Sequence, residues 1–170
     1  MLAPEMTAAL NTHMGREFSA HFQYLALASY FDGEALPELA AFFFAQAEEE
    51  HVHAMKFLRY VLDAGGQVKI PAVEAAPSDF ASAEEAVARA LEWERAVTDH
   101  IANLVHMAAE HRDVATHAFL QWFVTEQVEE VATMSELLHA VRRAGETNLL
   151  LVEDFVARKT ARSGSGSAGE

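Results

Sequence analysis

The stretch LAAFFFAQAEEEHVHAMKFLRY, residues 39–60, decides the fold. Every third or fourth residue lies on one helical face, which runs Leu39, Phe43, Gln46, Glu50, His53, Phe57 and Tyr60. This spacing is typical of a helix that packs into a helical core. Glu50 and His53 nevertheless fall at the centre of that face. A buried ionised carboxylate costs several kcal/mol unless it is paired or bound to a metal.

Three further stretches repeat this pattern, each with a polar interruption near its middle. Their faces run Leu10, Met14, Glu17, His21, Tyr24, Ala28, Phe31; Val87, Leu91, Glu94, Thr98, Ile101, Val105; and Leu120, Phe123, Gln127, Glu130, Met134, Leu137, Val141. No Lys or Arg lies on the four faces. The sequence therefore predicts an all-α four-helix bundle with clustered carboxylates that require a cation. One Glu from each of two helices, with Glu-x-x-His pairs from the others, is a known di-iron arrangement.

Composition excludes several classes of function. The 170 residues suffice for one domain, and the net charge of -14 argues against nucleic-acid binding. The absence of Cys excludes disulfides, thiol catalysis and iron–sulfur clusters. We see no signal-peptide pattern after Met1 and no apolar run near the roughly 18 residues of a membrane span. We therefore expect a cytoplasmic protein without a membrane partner.

Helix signals divide the chain into five helices and a tail. The expected helices run from Pro4 to Phe31, Pro37 to Gly65, Ser82 to Arg112, Asp113 to Gly145 and Leu149 to Lys159. Between the second and third lies a non-periodic connection, Gln67 to Ala81, long enough to run the full height of the bundle. Residues 1–160 form the expected domain, and residues 161–170 read as a flexible Gly/Ser-rich tail. The apolar face of the fifth helix should pack against the bundle end or a neighbouring subunit.

Glu17, Tyr24, Glu49 to His53, Glu94 and Phe119 to Glu130 resemble the motifs of a non-haem prokaryotic ferritin. The resemblance runs from the first helix through the fifth. It implies a ferritin-like fold in which Glu17, Glu50 and His53 hold a first iron, with Glu50 bridging to a second held by Glu94 and Glu130. It also implies a third iron site at Glu49, Glu126 and Glu129, and it places Tyr24 next to the centre. Gln127 would be a ligand, an oxygen-binding residue or a hydrogen-bond partner of the ligands.

The function implied by the resemblance is ferroxidase activity with iron storage. Members of the family form hollow shells of twenty-four identical subunits, oxidise Fe(II) with oxygen or hydrogen peroxide, and store the Fe(III) mineral inside. Two alternatives stay open: a haem-containing bacterioferritin-like store, and a di-iron oxidase or peroxidase without storage. A solvated helix face is the competing interpretation of Glu49, Glu126 and Glu129.

The second pair of helices bears on the first of these alternatives, the haem-containing store. Its pair is Gln127 and Glu130, where a symmetric bacterioferritin would carry Glu-x-x-His. His51 stands where the haem-ligating Met of a bacterioferritin is expected. We therefore expect no haem, and a second iron site that binds more weakly than the first.

Overall fold

Five α-helices make up most of the chain in the computed structural model, which describes residues 2–73 and 75–166, with side chains up to Ala161. They are α1 (Pro4–Gly33), α2 (Pro37–Asp63), α3 (Ala83–Glu110), α4 (Val114–Ala144) and α5 (Leu150–Gly166), with a 3₁₀ turn at Glu146–Asn148. No strand occurs in the described part. The predicted all-α bundle is confirmed. None of the described helices is long and apolar enough to cross a membrane.

The starts of α1 to α4 follow the local signals in the sequence. Pro4 and Pro37 occupy the first positions of their helices, where a missing N–H costs nothing. The Ser82 side chain accepts a hydrogen bond from the Glu85 N–H at 3.0 Å, and Asp113 accepts one from the Thr116 N–H at 3.0 Å. The ends are less exact, since α3 stops at Glu110 rather than at Arg112.

The long connection between α2 and α3 lies along α1. Asn11 donates to the Gln67 carbonyl and accepts from the Lys69 N–H, both at 2.9 Å. Farther along, Pro71 packs so closely on Gly15 that a Cβ there would lie 2.2 Å from the Pro71 Cγ. Phe80 then meets the Tyr30 ring near the other end of α1, at 5.3 Å between centroids. The connection thus returns along the height of the bundle, as the sequence predicts.

The C-terminal segment is joined to the starts of two distant helices. Glu153 of α5 accepts hydrogen bonds from the N–H groups of Glu38 and Leu39, both at 2.8 Å. Glu146 accepts from the N–H groups of Ala83 and Glu84, at 3.2 and 3.1 Å. These carboxylates satisfy backbone donors that the first turns of α2 and α3 leave without a partner. α5 therefore docks on its own bundle, one of the two positions expected for it.

The fifth helix is longer than its predicted range. It continues to Gly166 instead of ending at Lys159, so the predicted helix end is wrong. The predicted tail therefore begins inside a helix, and residues 167–170 lie outside the described part of the chain.

The apolar core is divided into two halves by a polar layer. One half contains Phe31, Phe43 and Met134, together with Val152 and Val156 of α5. The other is built around Leu10, Phe57, Ile101, Leu120 and Phe123. Between the two halves along each helix stand the polar residues of the four predicted faces: Glu17, Glu50, His53, Glu94, Gln127 and Glu130, every one of them buried.

Candidate metal centre

Glu17 of α1 and Glu50 and His53 of α2 form a compact group, here called the first half-site. One ligand atom from each residue lies within 4.8 Å of the others. The His53 Nδ1 is 3.5 Å from the Glu50 Oε2 and 3.9 Å from the Glu17 Oε2. Glu50 and His53 lie three residues apart and share a helix face, which lets both reach one ion. Two carboxylates and an imidazole suit a divalent transition metal such as iron.

Aromatic rings hold His53 in place. The imidazole meets the edges of Trp122 and Phe123 of α4, with ring centroids 5.4 and 5.8 Å away. This packing restricts the rotamer of His53, the one imidazole of the first half-site.

His13 is a buried neighbour of the first half-site that our sequence reasoning missed. Its Nε2 lies 2.7 Å from the Glu17 Oε1. Burial, with Arg16 adding to it, lowers the pKa of His13 to about 3, so the imidazole is neutral. The available signal was its position four residues before Glu17, on the same helix face.

Glu94, Gln127 and Glu130 form the second half-site, which has no imidazole. Gln127 Nε2 donates to the Glu94 Oε2 at 3.0 Å and lies 3.3 Å from the Thr98 hydroxyl. The Tyr24 hydroxyl donates to the other Glu94 oxygen. Both oxygens of Glu94 therefore accept hydrogen bonds from the protein. In this structure Gln127 is a hydrogen-bond donor to the Glu94 carboxylate, and its role as a ligand stays a prediction.

The carboxylates of the layer carry raised pKa values. Burial raises the pKa of Glu17 to about 7 and that of Glu130 to about 9; the charges of Glu94 and Glu50 add to the rise at Glu130. Burial also raises the pKa of Glu50, and the charges of Glu17 and Glu94 add to it. Glu50 thus interacts with carboxylates of both half-sites. No Lys or Arg forms an ion pair with these groups in the described part of the chain.

Glu49, Glu126 and Glu129 lie outside the buried layer but beside it. With Glu130 they line a cavity of about 410 Å³ between α2, α4 and α5. Burial and the charge of Glu126 raise the pKa of Glu49, which also accepts a 2.6 Å hydrogen bond from Gln46. Their oxygens do not form a compact ligand group among the described residues. A third iron site at these residues stays a prediction.

Fold and site together define a ferritin-like helical bundle with a carboxylate-rich centre. A family model of the ferritin-like domain matches residues 7–144. The chain belongs to the ferritin family.

Named relatives cover nearly the whole chain. It is 43% identical over 158 residues to ferritin BfrB of Mycolicibacterium smegmatis, covering 93% of this chain and 87% of that protein. It is 36% identical over 162 residues to the bacterial non-heme ferritin of Staphylococcus aureus, covering 94% and 98%. An open-pore ferritin structure from Archaeoglobus fulgidus is similar with a TM-score of 0.89 at 38% identity, covering 92% and 97%. A relative from Mycobacterium tuberculosis, 43% identical over 152 residues (89% of this chain, 83% of that protein), is named bacterioferritin BfrB.

Proposed function

We propose that this ferritin is a ferroxidase that stores iron. The observation that carries the proposal is the buried layer between the two halves of the core. Four carboxylates and one imidazole meet there without an ion pair to Lys or Arg in the described part of the chain. Buried carboxylates of this kind need a cation or a proton, and Fe(II) replaces the protons when it binds.

In the proposed reaction the chain holds two Fe(II) ions, its substrates, close together. Glu17 and His53 bind one ion, Glu94 and Glu130 bind the other, and Glu50 bridges them. Each ion gives one electron to the same oxygen molecule, which takes up two protons and leaves as hydrogen peroxide. The protein contributes proximity, and its carboxylates stabilise the increased positive charge of Fe(III).

Storage requires a shell and an exit from the centre. We propose that twenty-four copies assemble into a hollow shell, as the family resemblance implies, within the cytoplasm. Fe(III) leaves past Glu130 into the cavity that Glu49, Glu126 and Glu129 line. Exposed apolar side chains, including Phe22, Phe44 and Leu151, are available for contacts between copies.

The test combines oxygen consumption with measurement of size. The wild-type protein should elute as a shell of about twenty-four subunits and consume one oxygen molecule for each pair of Fe(II) ions. Glu50→Ala should slow the reaction at least about a hundredfold, because the two ions lose their shared ligand. Glu48→Ala is the matched control, since Glu48 is exposed two residues earlier on the same helix.

Two results would contradict the proposal. Equal rates for Glu50→Ala and Glu48→Ala would exclude the buried layer as the reaction site. A monomer or dimer that oxidises Fe(II) without accumulating it would favour the di-iron oxidase alternative.

We propose that the protein works without haem, although one relative is named a bacterioferritin. His51 is exposed and stands in place of the expected Met, and the second half-site has Gln127 and Glu130 instead of Glu-x-x-His. A haem absorption band in the protein purified from haem-supplemented cells would overturn this part of the proposal.

A further inference from the structure

We propose that His13 is a positioning residue that makes Glu17 a ligand through one oxygen only. This inference rests on the proposed function, because it takes the first half-site to be a metal site. The His13 Nε2 lies 2.7 Å from the Glu17 Oε1, and both side chains are almost fully buried. That hydrogen bond engages one oxygen of the carboxylate and leaves the other for an ion.

The second oxygen of Glu17 lies beside the other two residues of the first half-site, Glu50 and His53. The Glu17 Oε2 is buried, accepts no hydrogen bond from a described N–H or hydroxyl group, and lies 3.9 Å from the His53 Nδ1. The only other group that interacts with the Glu17 carboxyl at close range in the described part is the Glu50 carboxyl, which needs a shared proton to form a hydrogen bond and therefore gives way to a cation. A buried carboxylate oxygen without a partner is costly unless an ion takes it up. The geometry therefore assigns Oε1 to His13 and Oε2 to the metal.

The His13 ring is held by packing as well as by this hydrogen bond. It lies against Phe57, with ring centroids 4.6 Å apart. A carboxylate bound to a metal can only accept a hydrogen bond, so the single N–H of the neutral imidazole belongs to Nε2. His13 thus fixes the orientation of Glu17 before any ion arrives, which is how partners of metal ligands tune a site.

The opposite nitrogen of His13 is not needed for this role. Nδ1 is buried, and no described residue forms a hydrogen bond to it. The ring lines a cavity of about 190 Å³ together with Thr12, His100 and Asn103, on another side from the half-site carboxylates. We therefore expect that any side chain with an N–H at the position of Nε2 can take over the role of His13.

Three substitutions separate the donor from the ring. His13→Gln keeps an N–H at the reach of Nε2 but removes the ring. His13→Phe keeps a ring against Phe57 but has no hydrogen-bond donor. His13→Asn has an N–H donor, but its side chain is too short to bring that donor to Glu17. The measurement is calorimetric titration of the metal-free protein with Zn²⁺, together with the visible absorption spectrum of the Co²⁺ complex.

We expect His13→Phe and His13→Asn to weaken binding at the first half-site by about 10- to 100-fold. We expect His13→Gln to stay within about threefold of the wild-type protein, with the same Co²⁺ spectrum. Thermal unfolding and elution volume check that each variant is folded and assembled. If the Phe variant does not fold, the comparison of Gln with Asn decides.

Failure of this inference is distinguishable from failure of the proposed function. If the wild-type protein binds Zn²⁺ tightly and the Phe or Asn variant binds it equally well, the positioning role is overturned while the metal centre stands. If Gln weakens binding as much as Asn does, the ring matters and the donor does not, which also overturns the inference. If the wild-type protein binds neither Zn²⁺ nor Co²⁺ in the buried layer, the proposed function fails and this inference with it.

Discussion

The two half-sites of the buried layer are built from similar residues but are held in different ways. In the first, one oxygen of Glu17 is hydrogen-bonded to His13, and the other lies 3.9 Å from the His53 Nδ1. In the second, both oxygens of Glu94 accept hydrogen bonds from Tyr24 and Gln127, and Glu130 forms no hydrogen bond among the described residues. An ion at the first half-site would meet a Glu17 oxygen without a hydrogen-bond partner, whereas an ion at the second would have to displace the hydrogen bonds that both oxygens of Glu94 accept. We expect the first to fill first.

The largest expected effect comes from the carboxylate that the half-sites share. Glu50→Ala should weaken Zn²⁺ binding at both half-sites, by at least about a hundredfold at the first, because Glu50 belongs to the first group and its charge interacts with Glu94 of the second. Glu17→Ala should affect only the first half-site and Glu94→Ala only the second. Two-site calorimetric titration separates these outcomes. A Glu50→Ala protein that loses only one site would show that Glu50 is not a bridge.

The next largest effect should follow from adding charge to the second half-site. Gln127→Glu removes the donor to Glu94 and adds a carboxylate, so metal affinity there should rise about tenfold. Without metal, the variant should lose about 1–3 kcal/mol of stability, because Glu94 loses a partner inside the core. Gln121→Glu is the exposed control on α4. If the Gln127→Glu and Gln121→Glu proteins have equal metal affinity and equal stability, Gln127 is not the cause of weaker metal binding at the second half-site.

The pH dependence of stability gives a third comparison. An unfolded Glu releases its proton near pH 4.3, whereas Glu130 in the folded protein keeps it to about pH 9. Between these values the native state binds more protons than the unfolded chain, so the free energy of unfolding falls as pH rises. The Tm of the metal-free protein should therefore fall as the pH is raised from 5 to 9.

The fall in Tm between pH 5 and pH 9 should be smaller for Glu130→Gln than for the wild-type protein or for the exposed control Glu48→Gln. Thermal unfolding in a chelator measures the effect. With saturating Zn²⁺ the trend should weaken or reverse, since metal ligands must be deprotonated. Parallel slopes for all three metal-free proteins would show that Glu130 does not hold the proton.

The smallest expected effect concerns Tyr24. Tyr24→Phe removes one donor to Glu94 and should cost about 1 kcal/mol of stability. It should change metal affinity at the second half-site by only a few-fold and leave the first unchanged. Calorimetric titration of the variant beside the wild-type protein measures both, and a change confined to the first half-site would contradict the division of the layer.

Much of the fold and of the buried layer follows from periodicity alone. The sequence predicts burial for four carboxylates, because each interrupts an apolar helix face: Glu17, Glu50, Glu94 and Glu130. Residues three and four positions apart share one side of a helix, so a residue between buried members of that face is buried as well. The caps at Ser82 and Asp113 were equally predictable, because each depends on a contact three residues away. That these residues bind iron stays a prediction.

The remainder depends on contacts that local patterns do not encode. The predicted face of α1 passed through His21, but the structure leaves His21 half-buried against the Ala47 carbonyl and buries Ala20 and His13 fully. A buried helix face is broader than one line of residues, so its edge cannot be drawn from spacing. The contacts of Glu153 with α2 were likewise invisible, because they join residues more than a hundred positions apart.

The carboxylates of Glu146 and Glu153 also bear on the order in which the protein is made. Synthesis proceeds from the N-terminus, so α2 and α3 exist for some time with backbone donors at their first turns that only these later residues satisfy. These first turns therefore gain their side-chain acceptors only after Glu146 and Glu153 have been synthesised. A chain that terminates before Glu146 lacks both carboxylates, so the first turns of α2 and α3 lose these acceptors together, far in sequence from the missing residues.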